Sequence, residues 1–234
     1  MATKLEKILI RSIELANEKW DLFTKGERLV LGVSGGKDSL SCLRLLSFFG
    51  VDLRAVHVSI SGNSPEGLEE YCRQYAEYQC ITATQVNKDH TAKNPCFSCS
   101  RERRRLLLKF AASFKSEKII LGHHKDDVAE TLMINMIYSR EISTMMPKQV
   151  LFKGSYHIIR PMYLIPEAMI ESYAREQGIP EFGNDCEFAS AGKRLRIKNL
   201  IAELNTESKG IDVVENIFSS MKQIKSDFIP FDVK

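Results

Sequence analysis

Leu29-Val30-Leu31-Gly32-Val33-Ser34-Gly35-Gly36-Lys37-Asp38-Ser39 is the stretch on which the reading of this chain turns. An apolar, β-branched run feeds a glycine-rich turn, and a helical pattern follows from Ser39. Adjacent glycines let successive backbone N–H groups converge on one point, and the following helix adds its partial positive charge there. Such a turn cradles anions of phosphate size. The Walker pattern would need four residues between its glycines and a Gly-Lys-Ser/Thr ending. Neither is present, so this is a different kind of phosphate turn.

Working outward, Leu5, Ile8, Leu9, Ile13, Ala16, Trp20 and Phe23 recur at three- and four-residue steps and predict an amphipathic helix ending near Lys25-Gly26. Strand-like and helical runs then alternate: strand 29–33, helix 39–49, strand 53–59, helix 65–78, strand 83–86, helix 97–114, strand 118–122 and helix 125–138. That alternation predicts an α/β fold, a doubly wound parallel sheet with helices on both faces. Ligands then lie at the carboxyl ends of the strands, where the phosphate turn falls. Residues 139–155 read as an irregular connection and 158–161 as a last short strand. Helical patterns resume at 166–177, 193–204 and 211–225. The predicted organisation is an N-terminal helix over 1–26, a domain carrying the phosphate turn over 27–165 and a helical C-terminal region over 166–234.

A chain of 234 residues with 44% hydrophobic content can bury a full core, and its net charge is only +3. Bulk charge therefore does not announce a nucleic-acid binder, although local clusters can still form a basic face. Without an apolar run near the ~20 residues of a membrane span, or a secretory pattern at the start, a cytoplasmic protein with no membrane partner is expected. Six cysteines in that setting favour thiols, metal ligands or catalysts over a disulfide framework.

Cys96-Phe97-Ser98-Cys99 opens a helix, where the dipole favours thiolates. With Cys186 in the turn-rich stretch 178–186, three soft ligands result. Spacing leaves open a four-iron cluster with one open iron, zinc completed by His90 or His157, and a redox pair. Cys42, Cys72 and Cys80 read as packed thiols.

Ser34–Ser39 resembles the pyrophosphate-loop signature of the N-type ATP pyrophosphatases, which cleave ATP between the α and β phosphates to adenylate a substrate. Together with Asn94-Pro95-Cys96-Phe97-Ser98-Cys99-Ser100-Arg101-Glu102-Arg103-Arg104-Arg105 and Leu121-Gly122-His123-His124-Lys125-Asp126-Asp127, it resembles the tRNA 2-thiocytidine synthetase family. The resemblance runs from Leu5 to about Lys225. It implies an adenine nucleotide alpha hydrolase-like sheet and ATP- and [4Fe-4S]-dependent replacement of a base oxygen by sulfur, at the 2-oxygen of cytidine 32 in a tRNA anticodon loop. It also implies Cys96, Cys99 and Cys186 as cluster ligands. The family often shows a second close cysteine pair in the late loop, whereas this chain has Gly183-Asn184-Asp185-Cys186.

The remaining expectations cluster around the loop. Val33, Ser34, Gly35, Gly36, Lys37, Asp38 and Ser39, with His57, Val58, Gly122 and His123, form the expected ATP-binding set. Lys37 would neutralise phosphate charge. Asp38, Asp126 and Asp127 would position metal or protons, with Mg2+ on Asp38 and Asp127, unless one aspartate of the pair merely caps its helix. Glu130-Thr131 complete the stretch. Arg103, four residues after Cys99 and on its helix face, is the arginine expected to reach the chemistry. Arg101, Arg104 and Arg105 on one helix, and Lys193, Arg194, Arg196 and Lys198 on another, are expected to meet the tRNA backbone. A sulfur donor, cysteine desulfurase or free sulfide, is a further expected partner, and a homodimer is compatible with the sequence. Lysidine formation, persulfide chemistry through Cys99 and Cys186, and a non-catalytic ATP- and cluster-binding sensor are the alternative readings.

Overall fold

The computed structural model describes residues 3–60, 62–83, 95–182, 192–208 and 210–228, except for the side chains of residues 95–97 and 226. The chain forms two compact units, Met1–His124 with Met146–Phe188, and Lys125–Met145 with Ala189–Lys234. In the first unit, α1 (Lys4–Trp20) starts at Thr3, whose hydroxyl accepts the Glu6 N–H at 3.1 Å. It buries Leu9, Ile13 and Ala16 along one stripe. The helix ends earlier than its apolar spacing predicts, because Asp21 turns left-handed and the Asn17 side chain accepts the N–H groups of Leu22 and Phe23.

Next come β1 (Arg28–Gly32), α2 (Lys37–Leu46), β2 (Asp52–Ser59), α3 (Leu68–Arg73), β3 (Glu77–Thr82), α4 (Pro95–Phe114) and β4 (Lys118–Leu121). The second unit contributes α5 (Lys125–Tyr138). The first resumes with β5 (Lys148–Leu151), β6 (Tyr156–Ile159) and α6 (Glu167–Glu176), and α7 (Lys193–Glu207) and α8 (Val213–Ser220) follow in the second. The described strands form one sheet in the order β3-β2-β1-β4-β6-β5, parallel except for β5. This is the α/β doubly wound architecture that the alternation of elements predicts.

Both faces of the central strands are buried, so alternate residues of β1 enter different cores. Leu29 and Leu31 join one with α1, α2 and α6, while Val30 joins the other with Leu106, Leu107 and Ala111 of α4. A buried polar link ties three helices of the first core: the Tyr173 hydroxyl donates to Glu6 at 2.8 Å, and Arg44 lies 3.7 Å from the same carboxylate.

Further elements differ from their sequence reading. The helix expected over 65–78 stops at Arg73, and the strand expected at 83–86 runs instead over Glu77–Thr82, with 84–86 outside the described residues. Tyr71, Tyr75 and Tyr78 have helical spacing, but Tyr78 pairs with Ala55 in the parallel register, so tertiary pairing overrides local periodicity. The stretch read as an irregular connection contains β5, an antiparallel edge strand with Val150 60% exposed. An edge strand with one open side needs no apolar run, which removes its sequence signal.

Candidate active site

The phosphate turn lies between β1 and α2, at the carboxyl edge of the sheet. Gly35 has φ +90°, which disfavours any side chain, and a Cβ there would meet the Phe182 carbonyl oxygen at 3.2 Å. The Phe182 N–H donates to the Gly35 carbonyl at 2.9 Å, so residue 182 is tied to the phosphate turn. Ser39 staples the turn: its hydroxyl accepts the Ser34 N–H at 3.1 Å and donates to the Gly36 carbonyl at 3.0 Å. Gly36 precedes α2 without a side-chain oxygen, the position an incoming phosphate oxygen would take, and a Cβ there would meet only the Ser34 hydroxyl, at 3.6 Å.

Gly122 explains why the second motif begins with glycine. A Cβ at this position would stand 3.0 Å from Ser39 Cα and 3.1 Å from the Asp38 carbonyl oxygen, so β4 abuts the backbone of the phosphate turn. Backbone cannot yield as a flexible side chain does. Gly122→Ala is expected to destabilise the protein by about 1–3 kcal/mol through overpacking. It should also weaken ATP binding, because the displaced part is the mouth of α2. Thermal melting and nucleotide titration check both effects, and an unchanged ATP affinity would refute the second.

His124 Nε2 lies 3.9 Å from Asp38 Oδ2, and His123 Nδ1 accepts a hydrogen bond from Arg160 at 3.2 Å. Arg160 is buried, and its role is invisible in the sequence, where it reads only as the end of a strand. His57 is buried at the end of β2 and donates from Nδ1 to the Val33 carbonyl at 2.9 Å. Its pKa falls below the ordinary 6.5 because burial disfavours the charged ring; the Val33 bond opposes this and the nearby Arg103 charge reinforces it. The unfolded chain therefore takes up this proton at a higher pH than the folded one. The stabilising contribution is complete above 6.5 and is lost as pH falls through the folded value. Between about pH 8 and 5 the melting temperature should fall more steeply for the native sequence than for His57→Asn; equal slopes would exclude the assignment.

Lys37 points across to α6. Its ammonium lies 3.0 Å from Glu167, 3.4 Å from Asp38 and 3.7 Å from Glu171. Burial alone would lower its pKa, but the Glu167 hydrogen bond and the charges of Asp38 and Glu167 prevail and raise it above the usual 10.5, so the side chain stays charged at neutral pH. Neither glutamate was foreseeable, since Glu167 lies 130 residues from Lys37 in sequence.

Cys99 is half-buried on α4, one turn beyond Cys96, whose side chain lies outside the described residues, as does Cys186. The expected cluster set therefore falls mainly on residues beyond description. Among the described residues no group of three His, Cys, Asp or Glu gathers as a metal site. The donor chemistry nevertheless suits a cluster: two cysteines three positions apart in the first turns of α4, where the dipole favours thiolates. Burial pushes the Cys42 and Cys72 thiols up to about 12, consistent with packed side chains. Arg103 is near enough for its charge to disfavour the protonated His57 ring, and its buried Nε makes no hydrogen bond among the described residues. Arg101 is exposed, Arg104 bonds back to the Ser100 carbonyl, and Arg105 is held by Glu102 at 2.7 Å.

In the second unit Asp127 Oδ1 accepts a hydrogen bond from Arg194 at 2.8 Å. The same guanidinium reaches Thr131 at 3.2 Å and lies 3.6 Å from Glu130. Asp126 shares the first turn of α5 with Asp127. Lys193 stands over the Tyr138 ring at 4.6 Å, while Arg196 and Lys198 are exposed on α7.

A glycine turn stapled by Ser39 at the head of α2, on a parallel sheet, defines a PP-loop enzyme, and residues 5–203 match the PP-loop domain family. The chain is 33% identical over 95% of its length to tRNA-cytidine(32) 2-sulfurtransferase 2 of Francisella tularensis, covering 93% of that protein, and 32% identical to a Francisella philomiragia relative of the same designation, numbered 1. It belongs to the tRNA 2-thiocytidine synthetase family of PP-loop enzymes. Its fold matches that of the U34-tRNA thiolase NcsA from Methanococcus maripaludis, solved with its [4Fe-4S] cluster, at TM-score 0.76 and 22% identity over 98% of this chain and 81% of that one. It also matches an NH3-dependent NAD synthetase from Campylobacter jejuni at TM-score 0.53 and 17% identity, with both chains fully covered.

Proposed function

We propose that this enzyme uses ATP to adenylate the 2-oxygen of cytidine 32 in a tRNA anticodon loop and replaces that oxygen by sulfur. The observation that carries the reading is the phosphate turn: Gly35 and Gly36 leave a cradle open at the head of α2, in a chain resembling cytidine-32 sulfurtransferases along nearly its whole length. The turn and Lys37 hold the β and γ phosphates, and the base oxygen attacks the α phosphorus. Pyrophosphate leaves with the bonding electron pair. Sulfide, free or released when a thiol reductant reduces a cysteine desulfurase's persulfide by two electrons, then adds at carbon 2, and AMP departs carrying the former base oxygen.

Asp38, 3.4 Å from Lys37 at the turn, is suited to hold Mg2+ on the phosphates. Cys96, Cys99 and Cys186 would hold a [4Fe-4S] cluster, which when bound supplies an open iron for sulfide. The target base must be unpaired, and anticodon loops present such bases at low cost. Arg101, Arg104 and the exposed Arg196 and Lys198 are suited to the tRNA backbone. Among the described residues no helix is long and apolar enough to cross a membrane; work in the cytoplasm, where tRNA is found, is part of the proposal.

Nucleoside analysis of tRNA from cells with and without the gene tests the reading. Loss of 2-thiocytidine on deletion is expected, and unchanged thionucleosides would overturn it. Anaerobic purification should give a coloured protein containing iron and sulfide; a colourless zinc protein would remove the cluster.

A further inference from the structure

The PP-loop lysine is held by three carboxylates. Glu167 occupies the first turn of α6, behind Pro166, and Glu171 follows one helical turn later on the same face. An acidic residue at a helix start is ordinarily explained by the helix dipole. Here the carboxylate does more, reaching across to the Lys37 ammonium at 3.0 Å, and both side chains are largely buried, at 13% and 20% exposure. With Asp38 at 3.4 Å and Glu171 at 3.7 Å, the ammonium is shared by three carboxylates at the edge of a turn built for a polyanion. An arriving phosphate gains the ammonium only by drawing it from Glu167, so the two anions compete for one cation. Lys37 is not packed on every side: with Glu171, Arg175 and Glu181 it borders an open depression of about 650 Å³.

We propose that Glu167 is a positioning residue that sets the affinity of the loop for phosphate groups: it competes for Lys37, weakens retention of pyrophosphate and so speeds product release. The inference rests on the phosphate-binding reading of the loop and is independent of which base is modified. Magnesium pyrophosphate and a non-hydrolysable ATP analogue, titrated calorimetrically into the full-length, anaerobically purified protein, test it.

Relative to the native protein, Glu167→Gln should bind pyrophosphate about tenfold more tightly, an effect moderated by partial exposure. Glu167→Asp, which keeps the charge but shortens the reach, should fall between the two and guards against misfolding of the first variant. Lys37→Met should weaken binding, and the double variant should match Lys37→Met within about twofold, since without the ammonium there is nothing to compete for. Affinity unchanged or reduced in Glu167→Gln would overturn the proposal, as would a gain that persists beside Lys37→Met. If Lys37→Met itself leaves pyrophosphate binding intact, the phosphate-binding reading of the loop fails instead.

Discussion

Lys37→Met is expected to lower the rate of AMP formation from ATP by about 10³-fold, the effect of removing one preorganised charge from a developing anion. Cleavage between the α and β phosphates builds negative charge on the departing pyrophosphate, and Lys37 is the cation of the loop itself. That charge is fully present at neutral pH because Glu167 and Asp38 hold the lysine above its ordinary pKa, despite the opposing effect of burial. Most of the loss should appear in kcat, since the ammonium gains more from the transition state than from bound ATP. Single-turnover measurement of AMP from labelled ATP, with tRNA in excess, isolates this step. A variant within threefold of the native rate would remove Lys37 from the chemistry.

Cys99→Ser is expected to abolish sulfur transfer, by at least about 10²-fold, while leaving the fold and ATP binding intact. Serine keeps the size of the side chain but offers a hard, high-pKa oxygen where iron needs a soft thiolate. Cys99 is half-buried on α4, and neither core includes it, so thermal stability should change by less than about 1 kcal/mol. Iron and sulfide content, visible absorbance and 2-thiocytidine yield should fall together, with ATP affinity unchanged. Full thiolation by Cys99→Ser would exclude the residue as a cluster ligand and favour chemistry at another cysteine.

The two variants separate what was readable along the chain from what was not. Lys37 and Cys99 stand in short local motifs whose meaning is carried by adjacent residues: two glycines before a helix, two thiols one turn apart. Glu167, by contrast, is an ordinary acidic residue at a helix start until the fold carries it 130 residues back to Lys37. Arg194 has the same character. Its sequence places it in a basic run suited to RNA, yet within the second unit it holds Asp127, 67 residues away, and Thr131. Arg160 reads as the end of a strand and instead orients His123.

By itself, the sequence determined the α/β class, the phosphate turn and the glycines that turn requires, because strand alternation, helix starts and left-handed backbone are set by residues within a few positions of one another. It misjudged Tyr78 and overlooked β5, where pairing with a distant strand outweighs local pattern. Only the tertiary structure decided that Gly122 must abut Ser39, that Phe182 bonds to Gly35, and that Lys37 is shared among three carboxylates. Those contacts act over a few ångströms between segments far apart in the chain, and no local periodicity records which charge will meet which.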